Sequence, residues 1–220
     1  MHPISLMRLA GLAALASLVA APAFAEPVPG DFYGGASIGQ SRSKIDDAVI
    51  TADLQSSGFA TSSMTNDEQA PAWKAFAGYQ FDRYVGIEGS YFSLGHFAFT
   101  SNTVPAGALD GRIKLRGIAL DLVGTLPLSE RFSAIARVGA QRARTSDSFD
   151  GSGYVKVLSA NPSISKTNVK FGAGLQYAFT PGLVLRGEAE RYRVDDAMGD
   201  HGNVDMYSVG LVFSFGRAAQ

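Results

Sequence analysis

The amino-acid sequence predicts an all-β fold: an eight-stranded antiparallel up-and-down transmembrane β-barrel. Three observations predict it. An export leader is followed by no second long apolar run, eight segments then alternate with a period of two, and the connections alternate between tight turns and long polar loops.

The leader comes first. Met1 to Ala25 carries Arg8 as its only formal charge, then the apolar run Leu9 to Ala20, then Pro22 and the small-residue triplet Ala23-Phe24-Ala25 before Glu26. This is the order of a secretory signal peptide cleaved after Ala25. The run falls short of the ~20 apolar residues a spanning helix needs, so a membrane-anchoring helix fits less well. The predicted division is a signal peptide at 1–25 and a barrel domain at 26–220. No later stretch approaches spanning length, which excludes a helical membrane protein.

Composition narrows the classes further. The 220 residues contain no cysteine, which excludes a disulfide framework, a thiolate metal site and a cysteine nucleophile. Lys and Arg number 19 against 20 Asp and Glu, so there is no basic excess for a nucleic-acid groove. The 25 glycines and 10% aromatics argue against disorder and suit a β protein with many turns.

The eight alternating segments are Phe32 to Gln40, Ala72 to Phe81, Val85 to Gly95, Gly111 to Leu126, Arg131 to Arg144, Lys170 to Phe179, Leu183 to Arg193 and Met206 to Phe215. Alternation puts successive side chains on opposite faces of a strand. Their lengths are near or above the ~9 to 11 residues with which a tilted strand crosses a bilayer. Asp82-Arg83-Tyr84, Leu128-Ser129-Glu130 and Pro181-Gly182 read as hairpin turns, the last with Pro and Gly where a type II turn wants them. Ser41 to Ala70, His96 to Asp110, Thr145 to Thr167 and Asp195 to Asp205 read as loops. Short turns at one end and long polar loops at the other are the pattern of an outer-membrane barrel.

In the last segment one face reads Tyr207, Val209, Leu211, Phe213, Phe215 and the other Met206, Ser208, Gly210, Val212, Ser214; Phe171 to Phe179 repeats the pattern against Lys170, Gly172, Gly174, Gln176, Ala178. Alternation alone does not say which face points inward. The leader, and the Gly, Ser and Ala that suit a narrow lumen, favour an apolar exterior. Trp73, Tyr79, Phe81, Phe132, Tyr177 and Phe215, near strand ends, are candidates for interfacial girdles. Continuing the alternation gathers Lys74, Glu88, Asp121, Arg137, Gln176, Arg186, Glu188 and Glu190 on the lumen face. Buried ions must be paired, so these predict an ionic network that plugs the interior, and a turn centred on Ser129 sets Asp121 directly opposite Arg137.

The segment Ala77-Gly78-Tyr79-Gln80-Phe81-Asp82-Arg83-Tyr84-Val85-Gly86-Ile87-Glu88-Gly89-Ser90-Tyr91-Phe92-Ser93-Leu94-Gly95 resembles the second hairpin of the OmpA-like outer-membrane barrel family. Gly172 to Pro181 running into Leu185-Arg186-Gly187-Glu188, and Tyr207 to Gly216, agree with it. The resemblance covers residues 31 to 216 but not the loops. It implies eight strands in the cell outer membrane, both termini in the periplasm, and Phe215 as the terminal aromatic read by the barrel-assembly machinery. Fuller family members carry a peptidoglycan-binding domain after the barrel; here only Gly216 to Gln220 follow, so cell-wall anchoring is not expected. The family's lumen holds a Glu–Arg pair, matched by Glu88 and Arg186, and two charged competitors, matched by the uncharged Val123 and Gln176. The resemblance therefore implies a closed pair without a rival partner.

The function expected is a structural and surface-interaction barrel displaying four loops, with a narrow pore for ions or very small solutes as the alternative. Lipid and lipopolysaccharide, the assembly machinery, and an unidentified surface partner at the loops are the expected partners. An enzyme is not expected. The neighbours Ser93 and His96 invite comparison with rim hydrolases, and Asp195-Asp196 with Asp200-His201 invite a metal, but neither has an accompanying motif. No catalytic residue, cofactor or metal is assigned.

Overall fold

The computed structural model of the chain describes residues 30–43, 60–104, 107–153, 163–180, 182–195 and 201–215. The leader lies outside them. Nine strands follow one another: β1 (Phe32–Ser43), β2 (Ala60–Asp67), β3 (Gln69–Gln80), β4 (Val85–Val104), β5 (Gly107–Pro127), β6 (Phe132–Gly153), β7 (Ser163–Thr180), β8 (Leu183–Asp195) and β9 (His201–Ser214). β2 and β3 are two parts of one stave interrupted at Glu68, since both pair antiparallel with β4. The staves are therefore eight. Each pairs antiparallel with its chain neighbours, and β1 with β9 joins the two ends of the sheet, so the barrel is closed and leaves no edge along its wall.

Alternation decides the facing. On β9, Tyr207, Val209 and Phe213 are exposed while Met206, Ser208, Gly210 and Val212 are buried, and on β5 Ile118, Leu120, Leu122 and Leu126 are all more than half exposed. The apolar face is outside. Tyr79, Phe81, Phe132, Tyr177 and Phe215 gather at the turn end, where Phe32 stacks on Tyr79 and Phe132 on Tyr177 at 4.9 and 4.8 Å between ring centroids. Trp73 stands toward the other end beside Tyr91, at 5.6 Å.

Three expectations need correction. The segments read as loops are largely strand: β4 continues to Val104, β5 begins at Gly107, β6 runs to Gly153, β7 begins at Ser163, and β8 and β9 extend to Asp195 and from His201. Their side chains are polar because they project beyond the bilayer, yet the hairpin arms still pair backbone to backbone. Alternation was also hidden by a β-bulge. Leu94 is the extra residue between Ser93↔Arg116 and Gly95↔Leu115, and it switches the inward side of β4 from even to odd numbers, so that Phe92, Leu94 and Phe97 are all buried. Gly95 takes φ +84, which an L side chain rarely adopts, and the Leu94 carbonyl accepts a hydrogen bond from Ser41 Oγ at 2.5 Å.

The second correction concerns the turn between β5 and β6. It is centred on Glu130, with Pro127 opposite Ser133, so Asp121 faces Gly139 and Arg137 faces Val123. The Leu128 and Ser129 amides both donate to Phe132 O, at 2.8 and 3.0 Å, so the centre lies one residue past Ser129 and every partner across the turn shifts by two. Third, Gly182 does not take the positive φ of a type II turn; Pro181 lies outside the described residues, and a register shift between Ala178 and Thr180 takes up the slack. At the Asp82 turn the reading holds, with Asp82 Oδ1 accepting from the Tyr84 and Val85 amides at 2.7 and 2.8 Å.

Candidate functional site

The lumen is stratified, and the order along each strand gives the layers. From the turn end, β3 turns in Phe76, then Lys74, then Ala72 and Ala70; β8 turns in Val184, then Arg186, Glu188 and Glu190, then Tyr192. Tyr33, Phe76, Ala178, Val184 and Val212 make an apolar layer nearest the turns. Phe92, Leu94, Phe97, Leu115, Tyr192, Val204 and Met206 make a larger one toward the loops. Among the described residues, all the buried charges lie between.

The seven ionic residues read from alternation meet in this middle layer, together with Lys170. Glu88, Asp121, Glu188 and Glu190 face Lys74, Arg137, Lys170 and Arg186, and all eight are buried. The charges balance. Lys74 Nζ donates to Glu188 Oε2 and Glu190 Oε2 at 2.9 and 2.8 Å. Lys170 Nζ lies 2.9 Å from both Asp121 Oδ2 and Glu190 Oε1. Arg137 is the hub: Nη1 reaches Glu88 Oε1 at 2.6 Å and Asp121 Oδ2 at 3.4 Å, Nη2 donates to Glu188, and Nε lies 3.5 Å from Glu190 Oε1.

Arg186 Nη1 donates to Glu88 Oε2 at 2.7 Å, the pair that the resemblance implies. Glu88 is nevertheless shared, since Arg137 holds its other oxygen. The expectation of a pair without a rival is therefore corrected: the competing cation comes from β6, not from the Val123 position, and Val123 is the residue opposite it in register. Gln176 serves Arg186. With its amide oxygen turned toward the guanidinium it accepts from Nε and Nη2, each at 2.8 Å.

The two apolar layers close onto the ions through tyrosines. Tyr33 donates to Glu88 Oε2 at 3.3 Å from below and Tyr192 to Glu190 Oε2 at 3.2 Å from above. Arg186 lies 4.8 Å from the Phe76 ring and Lys170 4.8 Å from the Tyr192 ring, within cation–π range. Glycine makes the space. Glu88 faces Gly78, Asp121 and Lys170 face Gly139, Arg137 and Glu190 face Gly172, Glu188 faces Gly174, and Arg186 faces Gly210.

Lys170 was missed as a network member although it sits on the face assigned to the lumen. The signal was present in its parity with Gln176. Ser93 and His96, by contrast, both point outward on either side of the bulge, and no hydrogen bond joins them among the described residues. The side chains of Asp195 and His201, with Asp196 and Asp200, lie outside what the structure describes.

A closed antiparallel barrel with an apolar exterior and a charged interior defines a class, the transmembrane β-barrel. The chain belongs to the outer membrane protein beta-barrel domain family, whose model matches residues 11–215. It is 25% identical over 199 residues to outer membrane protein A of Salmonella typhi and 26% identical over 221 residues to that of Yersinia pseudotuberculosis. These matches cover 88% and 96% of this chain but 51% and 56% of the relatives, so the chain spans about half their length. Two solved barrels share the fold: Ail, the attachment invasion locus protein of Yersinia pestis, with a TM-score of 0.51 and 20% identity over 86% of this chain and all of that one, and Neisserial surface protein A, with a TM-score of 0.53 and 14% identity over 84% and 97%. The protein is an outer-membrane β-barrel.

Proposed function

We propose that the barrel is closed to solutes and acts as a structural and surface-interaction element of the outer membrane, displaying its loops outside the cell. The observation that carries this reading is the buried, charge-balanced layer around Arg137, with an apolar layer on each side of it. An eight-stranded interior is just wide enough for side chains to fill. A solute would have to replace paired ions and then pass a buried, largely apolar layer rich in aromatic rings.

The same packing disfavours an enzyme in the middle of the barrel, because each charged group of the ionic layer is already held by a partner. Lipid and lipopolysaccharide around the wall, and the assembly machinery reading Phe215, are the partners that fit an outer-membrane barrel; the loop partner is a matter for binding screens. Cleavage after Ala25 fits the leader, and the intact mass of the exported protein should begin at Glu26.

The deciding measurement is conductance of the refolded chain in a planar bilayer. A silent bilayer is expected. Frequent large openings would put the narrow pore ahead.

A further inference from the structure

The outward face of β5 changes character abruptly. Leu126, Leu122, Leu120 and Ile118 face lipid, and the same face then continues as Arg116, Lys114 and Arg112. β6 does the same, passing from Phe132, Val138 and Ala140 to Arg142 and Arg144. In register Arg142 stands opposite Ile118 and Arg144 opposite Arg116. The switch from apolar to basic therefore falls at one level on two adjacent strands, at the loop side of the lipid belt.

Hydroxyl and imidazole groups flank it. Ser93 lies beside Arg116 and His96 beside Lys114 on β4, while Thr167 lies beside Arg142 and Ser165 beside Arg144 on β7. Among the side chains the structure describes, none of the five cations has an acidic partner; Arg144 Nη2 donates to Ser163 Oγ at 3.4 Å. Of the acids above them, Asp110 accepts from Thr100, and Asp150 stands opposite Asp110 on β6. On the far side of the barrel the outward Arg191 is held by both oxygens of Asp205, at 2.6 and 2.7 Å. That outward arginine has an acid directly across the strand pair, whereas the five face hydroxyl, imidazole, apolar or basic residues across theirs.

Like charges on adjacent strands repel, and an anionic partner would turn that cost into attraction. The patch opens sideways, continuous with the lipid belt, so its occupant is a component of the membrane. Guanidinium groups grip phosphate through paired N–H donors, and long stems let the charged heads rise from the belt to the headgroup level.

We propose that Arg112, Lys114, Arg116, Arg142 and Arg144 dock the phosphorylated headgroups of outer-leaflet glycolipid. The proposal deepens the membrane reading above and rests on it.

The test is native mass spectrometry of the full chain refolded in detergent, titrated with bis-phosphorylated lipid A and with the same lipid stripped of its phosphates. The wild type should bind the phosphorylated form more tightly by at least about tenfold. The triple variant Arg116→Gln, Arg142→Gln, Arg144→Gln should lose most of that preference, and the triple Lys variant should keep most of it. If the Gln variant fails to refold, the pair Arg112→Gln, Lys114→Gln supplies the same comparison with a smaller drop. Equal binding of the stripped lipid, wild-type affinity in the Gln variants, or tighter binding of a soluble sulfated polysaccharide than of lipid A would each overturn the proposal. A wild-type chain that did not shift on unboiled gels would instead remove the membrane reading beneath it.

Discussion

Arg137 touches all four of the acids that are buried among the described residues, more than any other described lumen cation. Removing it leaves four acids against three bases in a water-poor layer, and breaking a buried pair from one side costs about 3–5 kcal/mol. Arg137→Met should therefore lower unfolding stability by that order in urea titrations of the barrel in lipid vesicles, and an unchanged midpoint would remove Arg137 as the hub. Glycine sets a second requirement. A Cβ on Gly139 would meet the Leu120 carbonyl and Asp121, so Gly139→Val should cost about 1–3 kcal/mol by overpacking, whereas Gly187, with nothing near a Cβ, should accept Ala at little cost in the same assay. The identities of the lumen residues were legible because parity is a local property. Their register partners were not: a turn centre displaced by one residue moved the partner of Asp121 by two, from Arg137 to Gly139, and the sharing of Glu88 depends on three strands that are distant in sequence.

Each strand carries its own record of depth. On β5 the apolar stretch from Leu126 to Ile118 marks the part inside lipid, and Leu120 lies in the middle of it, 58% exposed. Leu120→Arg should cost about 2–4 kcal/mol in lipid, measured by the same urea titration, while a charge added at the projecting end, Ser146→Glu on β6 opposite Lys114, should carry no such cost. Equal costs at the two sites would mean that the belt is misplaced. The strand cores were legible in the sequence because lipid on one side and a packed lumen on the other enforce alternation. The projecting ends were not legible, since with water on the outside the contrast between faces fades. The bulge at Leu94 was hidden for a different reason: one inserted residue reverses the phase, and a period-two reading stops where the strand does not.

At the scale of the whole barrel, closure is layered, and the layers do not fail together. Glu88→Gln would remove one acid, yet Arg137 would keep Glu188 and Asp121, and Arg186 would keep Gln176. The aromatic layer toward the loops, with Phe92 and Tyr192 rings 4.8 Å apart, would stay dry. Apolar constrictions block ions by excluding water even where a path exists. The proposed closed state therefore predicts that Glu88→Gln is silent in a planar bilayer. Opening the upper layer alone, with Phe92→Ser and Phe97→Ser, would admit water only as far as paired ions, and that variant should be nearly silent too. The combination of all three changes should conduct, because wetting then reaches a layer with an unbalanced charge and a loosened hub. Single-channel recordings of the four proteins separate the possibilities. Conduction by Glu88→Gln alone would mean that the ion pair is the whole gate, and conduction by the double Ser variant alone would mean that the ionic layer is no barrier.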